Sequence, residues 1–118
     1  MSGIKLYWLP HCSTCKKAKE LIENKGFIIT DFHDIKSQPL SCEEVEKLAQ
    51  MVGGAENLFS RRAIKYREMG LHEREVSSAE MLDLMANEYT FIKRPVLVVG
   101  EKATAGFSEK IYNEFLTK

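Results

Sequence analysis

The hydrophobic pattern predicts a β-α-β unit at the beginning of the chain. Residues 4–9 form a largely apolar run of the kind found in buried strands. Apolar positions then recur at helical spacing over residues 14–25, which predicts a helix ended by Gly26. Residues 27–32 are rich in β-branched and aromatic side chains and predict a second strand.

The middle of the chain is predicted to be helical. Ser41 with Glu44, and Ser77 with Glu80, have the spacing of helix-starting capping boxes ahead of apolar stripes. Residues 56–67 predict one or two short helices between these two.

The pattern returns to strands near the end of the chain. Residues 95–99 form an apolar run suited to a central strand, and residues 102–105 follow after a short turn as an antiparallel edge strand. Ser108 then caps a terminal helix whose inner face includes Tyr112. We expect no internal repeat and no linker.

Composition predicts a single domain without an obvious charged partner. The chain has 118 residues, 44% of them hydrophobic, with 17 basic and 17 acidic residues. This balance gives no electrostatic reason to expect nucleic acid or an anionic membrane as a partner. With no secretory segment and no apolar stretch long enough to span a bilayer, we expect a cytoplasmic monomer. Cysteines there are mostly kept reduced, so a close pair favours redox chemistry over a structural disulfide.

The pair Cys12 and Cys15 lies at the turn from the first strand to the first helix. Thiols three residues apart on a first helical turn are close enough to form a disulfide, and the helix N-terminus stabilises a thiolate at Cys12. Cys12 is therefore the expected nucleophile, with a pKa below 7.5, about one unit or more under that of free cysteine. Cys15 continues into the core face of the helix and is better suited to resolve a mixed disulfide. Lys16 and Lys17 add positive charge nearby.

Two other interpretations of the cysteines are a zinc site and ordinary half-buried thiols. His11, Cys12, Cys15 and Cys42 offer four zinc ligands in principle. Structural zinc sites normally pair two such short motifs, and Cys42 has no second ligand beside it, so we expect no metal. Cys42 either relays oxidation or is structural.

The predicted order of elements, with the CxxC motif at the first turn and a proline opening the third strand, describes an α/β thioredoxin-like fold. We expect a mixed four-stranded sheet formed by about residues 1–35 and 90–118, with a helical insertion at about 40–89, all in one domain, 1–118. The chain resembles the arsenate reductase (ArsC) and Spx family over nearly its whole length. Five blocks carry the resemblance: residues 11–18 (HCSTCKKA), 58–62 (LFSRR), 66–71 (YREMGL), 92–95 (IKRP) and 106–109 (GFSE).

The resemblance implies a thiol-based reductase in which Cys12 attacks arsenate or a related oxyanion or disulfide. Arg94 would hold the oxyanion and stabilise the thiolate, because a guanidinium offers several fixed donors. Cys15 or glutathione would resolve the adduct. Glutathione with glutaredoxin, or thioredoxin, would supply electrons, and no cofactor would be bound. The further substrate-binding residues implied are His11, Ser13, Thr14, Arg62 and Pro95. Pro95 is expected to follow a cis peptide bond.

The chain departs from the enzymes of this family at two anion-binding positions. Ser60 and Gly106 stand where those enzymes have arginines. One of the adjacent Arg61 and Arg62 can take over the first role, for which we expect Arg62, and nothing replaces the second. In addition, this chain has two cysteines in the active loop where many of the enzymes have one.

Two alternatives follow. The first is an Spx-like redox regulator that binds RNA polymerase through a Cys12–Cys15 switch, with Gly54 at the position of the polymerase contact. Gly53-Gly54 is more simply explained as an ordinary loop signal between helices. The second is a general glutaredoxin-like oxidoreductase, which needs no oxyanion.

Overall fold

A computed structural model describes residues 3–117 and contains a mixed four-stranded sheet. Its strands are β1 (Ile4–Trp8), β2 (Asp31–Asp34), β3 (Val96–Val99) and β4 (Lys102–Ala105). The strand order is β2-β1-β3-β4, with β1 parallel to β2 and antiparallel to β3, and β3 antiparallel to β4. The predicted sheet, its β-α-β opening and its closing hairpin are confirmed.

The helices lie where the sequence predicts them. They are α1 (Ser13–Asn24), α2 (Cys42–Met51), α3 (Ala55–Leu58), α4 (Ile64–Glu68), α5 (Ser78–Asn87) and α6 (Glu109–Phe115), with 3₁₀ turns at Leu71–Glu73 and Tyr89–Phe91. The predicted capping box at α2 forms, because the Glu44 N–H donates to the Ser41 hydroxyl at 3.1 Å and the Ser41 N–H donates to the Glu44 carboxylate at 3.0 Å. Across residues 3–117, each helix is too short or too polar to cross a membrane.

The chain divides into two compact units. One comprises the residues up to Gln38 together with those from Arg94 onward, and it holds the whole sheet, α1 and α6. The other, Pro39–Lys93, holds the remaining helices. That the two form a single domain stays a prediction.

The core of the sheet-containing unit explains how α1 is held. Ile4 and Leu6 lie on one face of β1, since side chains alternate along a strand, and both are buried. Ala18 and Ile22 of α1 and Tyr112 of α6 belong to the same buried cluster. Both helices therefore pack over this face of the sheet, which fixes the first turn of α1 at the end of β1.

The second strand is shorter and later than predicted. The prediction of a strand over 27–32 is wrong at its start, because β2 begins at Asp31. Gly26, with φ of +86°, reverses the chain after α1. The Thr30 hydroxyl then accepts from the Ile4 N–H at 3.1 Å and donates to the Ile4 carbonyl at 2.9 Å. The Ile4 carbonyl also accepts from the Thr30 N–H at 2.9 Å, so the side chain takes only the Ile4 N–H that an earlier start of β2 would have used.

Candidate active site

Cys12 is the residue that precedes α1, and its sulfur therefore lies at the positive end of the helix. Its backbone is extended, its N–H donates to the Leu9 carbonyl at 3.1 Å, and its own carbonyl accepts from the Lys16 N–H at 3.0 Å. This is the position at which the unpaired amides of a helix favour a negative group.

The pKa of Cys12 lies below its ordinary value. Burial acts in the opposite direction, but it is outweighed by donors at the start of the helix and by a cation. The backbone N–H and thiol of Cys15, the N–H of Thr14 and the positive charge of Arg94 all favour the thiolate. The direction agrees with the prediction from sequence. Cys12 is half-buried, so the sulfur remains accessible to a substrate.

Cys15 has the opposite character. Burial, assisted by the neighbouring Cys12 sulfur, raises the pKa of its thiol to about 12 against the opposing effects of the Leu9 backbone and Arg94. The side chain is fully buried. The two thiols, one turn apart, are therefore an accessible thiolate and a buried neutral thiol, which is the division of roles expected for a nucleophile and a resolving cysteine.

Arg94 and Pro95 lie immediately before β3. The peptide bond between them is cis, as predicted. Pro95 is buried and its carbonyl accepts from the Gly106 N–H at 2.8 Å, whereas Arg94 is half-buried. The guanidinium charge acts on both Cys12 and Cys15, so the structure brings Arg94 to the thiol pair.

The other predicted binding residues divide into two groups. His11 and Ser13 are exposed and Thr14 is half-buried, all three beside Cys12 at the start of α1. Arg62 is an exposed residue of the second unit, in the turn before α4, where its N–H donates to the Ser60 hydroxyl at 3.3 Å. Its role at the thiol site stays a prediction.

Gly106 is one of the two positions at which the resemblance implies an arginine in the enzymes. Gly106 has φ of +82°, a left-handed conformation that disfavours any residue with a Cβ. An arginine at this position would need a different loop conformation or a strained one.

Cys42 is exposed at the first position of α2. Among residues 3–117, no three histidine, cysteine or acidic side chains are grouped so that they could hold a metal ion.

One polar group in the core with α1 is not apparent from the sequence pattern. Tyr112 was predicted only as a core residue of α6, yet its fully buried hydroxyl is electrostatically coupled to Cys15. The signal was available in principle, because a tyrosine on a buried stripe carries a hydroxyl that requires a partner.

Comparison with known proteins supports one family. The model of the ArsC family matches residues 7–115. The uncharacterized protein YusI of Bacillus subtilis (strain 168) is 40% identical over 115 residues, covering 95% of this chain and 97% of YusI. The global transcriptional regulator Spx of Lactiplantibacillus plantarum is 24% identical over 114 residues, covering 96% of this chain and 86% of that protein.

A solved structure shows the same fold. The arsenate reductase from Vibrio cholerae superimposes with a TM-score of 0.85 at 24% identity, covering 98% of each chain, and this likeness establishes the thioredoxin-like architecture alone. The family match, by contrast, spans nearly the whole sequence from β1 to α6. This chain belongs to the ArsC family.

Proposed function

We propose that this chain is a cytoplasmic thiol-based reductase of the arsenate reductase type, with Cys12 as its nucleophile. The observation that carries the proposal is the separation of the two thiol pKa values beside a half-buried arginine. In a pair of this kind, one sulfur is ionised and can attack a substrate, while the other stays protonated until it resolves the adduct. A surface cysteine pair would not need this arrangement.

The proposed cycle begins when the Cys12 thiolate attacks arsenic(V) and a sulfur–arsenic bond forms with loss of water. The Cys15 thiolate, or glutathione, then attacks the Cys12 sulfur. The sulfur–arsenic bond breaks, its electron pair stays on arsenic, and arsenite leaves with a disulfide formed at Cys12. Two thiols are oxidised and one arsenic atom is reduced by two electrons. A thiol reductant protein, glutaredoxin with glutathione or thioredoxin, then restores the dithiol.

Arg94 is the cation proposed to hold the substrate oxyanion, with Arg62 as a second one. The same nucleophile and resolving thiol also reduce a disulfide, for which the anion-binding arginines are not needed. Arsenate, related oxyanions and small disulfides are accordingly the substrates to compare.

The test is arsenate-dependent oxidation of NADPH, coupled through glutathione and glutaredoxin and separately through thioredoxin. The variants are Cys12→Ser and Cys15→Ser, with Cys42→Ser as the matched control because Cys42 is an exposed thiol outside the motif. We expect Cys12→Ser to abolish turnover and Cys42→Ser to leave it unchanged. Full activity of Cys15→Ser with glutathione would assign resolution to glutathione, and its loss would assign resolution to Cys15.

Absence of arsenate turnover with both donors, despite ready formation of a Cys12–Cys15 disulfide, would contradict the oxyanion substrate. Reduction of a small disulfide under the same conditions would then favour the general oxidoreductase.

A redox regulator is the second candidate, favoured by the two thiols of the motif and by the similarity to Spx over 96% of the chain. The regulator hypothesis predicts that the disulfide form and the dithiol form of this chain bind RNA polymerase with different affinities. Equal binding of both forms, or binding by neither, would contradict it. The Cys15→Ser variant, which cannot form the internal disulfide, serves as the control.

A further inference from the structure

The Tyr112 hydroxyl is an unusual group in the sheet-containing unit. Its side chain is completely buried, and its oxygen has no hydrogen-bond partner among the described residues. A buried hydroxyl without a partner is destabilising, and native proteins rarely retain one without a reason. Phenylalanine would fill the same space without this penalty, so the oxygen calls for a functional explanation.

Two observations relate Tyr112 to Cys15, and a third shows that its ring is held in place. The ring makes an edge-to-face contact with Phe107, with centroids 5.1 Å apart and planes at 74°. Tyr112 shares its core cluster with Ala18, which lies one helical turn after Cys15 on the same buried face of α1. Burial raises the pKa of Tyr112, and so does the negative charge of Cys15. The hydroxyl and the thiol are therefore both buried on the side of the sheet where α1 and α6 pack, with the hydroxyl within electrostatic range of Cys15.

In the dithiol, the Cys15 thiol has another partner, because it donates to the Cys12 sulfur. That interaction weakens once Cys12 is covalently bound to a substrate and carries no negative charge. Cys15 must then lose its proton while fully buried, where an unassisted thiolate is strongly disfavoured. The free hydroxyl of Tyr112 is the buried donor available for that moment.

We propose that Tyr112 is a positioning residue that donates a hydrogen bond to the Cys15 thiolate during resolution. This inference rests on the proposed function, in which Cys12 attacks and Cys15 resolves. With a disulfide RSSR as oxidant, Cys12 first forms Cys12–S–S–R and releases one RS⁻. Cys15 then loses its proton to the solvent buffer, its thiolate attacks the Cys12 sulfur, the Cys12–Cys15 bond forms, and the second RS⁻ leaves. Tyr112 keeps its own proton throughout.

The test uses dithiobis(nitrobenzoate), which releases a coloured thiolate at each of these steps. In a Cys42→Ser background the reduced chain should give two phases, the first for attack by Cys12 and the second for attack by Cys15. We expect Tyr112→Phe to slow the second phase about tenfold, the order expected for loss of one hydrogen bond to a charged group, and to leave the first unchanged. The pH midpoint of the second phase should move upward, a change that loss of packing alone would not produce.

Tyr7→Phe is the matched control, because the Tyr7 hydroxyl is already linked to Lys5 on the same strand. It should leave both phases unchanged. Equal second phases in the unmodified chain and Tyr112→Phe would overturn the inference. A missing second phase in the unmodified chain would instead contradict the role of Cys15 in the proposed function, so the two failures are distinguishable.

A second measurement keeps the Tyr112 hydroxyl in place and does not depend on whether Tyr112→Phe folds. Replacement of the four tyrosines by fluorotyrosine makes their hydroxyls more acidic and better donors. The second phase should then be about twofold or more faster, in line with stronger hydrogen bonds to a charged acceptor, while the first phase keeps its rate. An unchanged or slower second phase would contradict the inference.

Discussion

The start of α1 and the segment around Gly106 differ in how fully they preserve the family pattern. At the start of α1, Cys12 and Cys15 have a lowered and a raised pKa respectively, the arrangement that thiol exchange requires. Arg94, the proposed oxyanion ligand, acts on the same thiols, whereas Gly106, a position at which the family resemblance implies an arginine in the enzymes, has a left-handed backbone. More residues of this chain therefore support the proposed thiol exchange than support the proposed binding of an oxyanion.

The largest expected effect is the selectivity between the two thiols. Because the pKa of Cys15 is raised to about 12 and that of Cys12 is lowered, Cys12 holds a far larger thiolate fraction than Cys15 at neutral pH. The higher nucleophilicity of the more basic sulfur offsets part of this difference, and burial of Cys15 slows its reaction again. In a Cys42→Ser background, iodoacetamide at pH 7 should alkylate Cys12 alone.

Peptide mass spectrometry after timed quenching measures this selectivity. Comparable labelling of both cysteines would show that the start of α1 does not separate them. The pH dependence has a definite sign. Because the pKa of Cys12 is lowered, its alkylation should remain fast below the ordinary thiol range and decline only as the pH falls through that lowered value.

Arg94→Ala distinguishes the effect of Arg94 on Cys12 reactivity from its proposed role in binding an oxyanion. Arg94 is the weakest of the principal influences on the pKa of Cys12, so alkylation should slow only about two- to fivefold. Loss of its charge-assisted hydrogen bonds to an oxyanion should raise the KM for arsenate about ten- to a hundredfold. Arg94→Lys, which keeps the charge, should recover most of the alkylation rate and less of the arsenate affinity. Equal losses toward arsenate and a neutral disulfide would rule out a specific anion role.

Gly106→Arg tests whether the backbone at this position can accept the arginine that the resemblance implies in the enzymes. The φ of +82° should make Gly106→Arg and Gly106→Ala similarly destabilising, by about 1–2 kcal/mol in urea unfolding. An added Cβ meets no other atom within 4 Å, so the penalty should come from the backbone and not from a clash. An undiminished free energy of unfolding for Gly106→Arg would mean that this segment accepts an arginine without strain.

The smallest effect is expected for Cys42→Ser. Cys42 is exposed on the first turn of α2, outside the CxxC motif. We expect a change in unfolding free energy within about 0.5 kcal/mol and unaltered turnover under oxidising conditions. Faster inactivation of the variant by peroxide would instead indicate that Cys42 relays oxidation to or from the CxxC thiols.

Sequence was sufficient where local signals dominate. The capping box at Ser41 and Glu44 and the helix start after Cys12 are determined by neighbouring residues, and the structure contains both. The start of β2 was predicted wrongly, because it depends on a hydroxyl bridge between Thr30 and Ile4, which are distant in sequence.

In the candidate site, too, local features could be predicted from the sequence and long-range ones could not. The placement of Cys12 and Cys15 followed from their spacing and from the helix that they begin. The hydroxyl of Tyr112 did not, since its relation to Cys15 arises only when α6 packs over the same face of the sheet as α1.

The pairing of β1 with β3 has a consequence for the order in which a nascent chain acquires its reactivity. Tyr7 is opposite Val96 in the ladder, so the central strand gains this neighbour only when nearly all of the chain has been synthesised. Until then Cys12 lacks the charge of Arg94, and the buried face of α1 lacks the packing of Tyr112 and Leu116 from the end of the chain. The contiguous unit Pro39–Lys93 can form earlier, whereas the acidity that distinguishes the two thiols develops last.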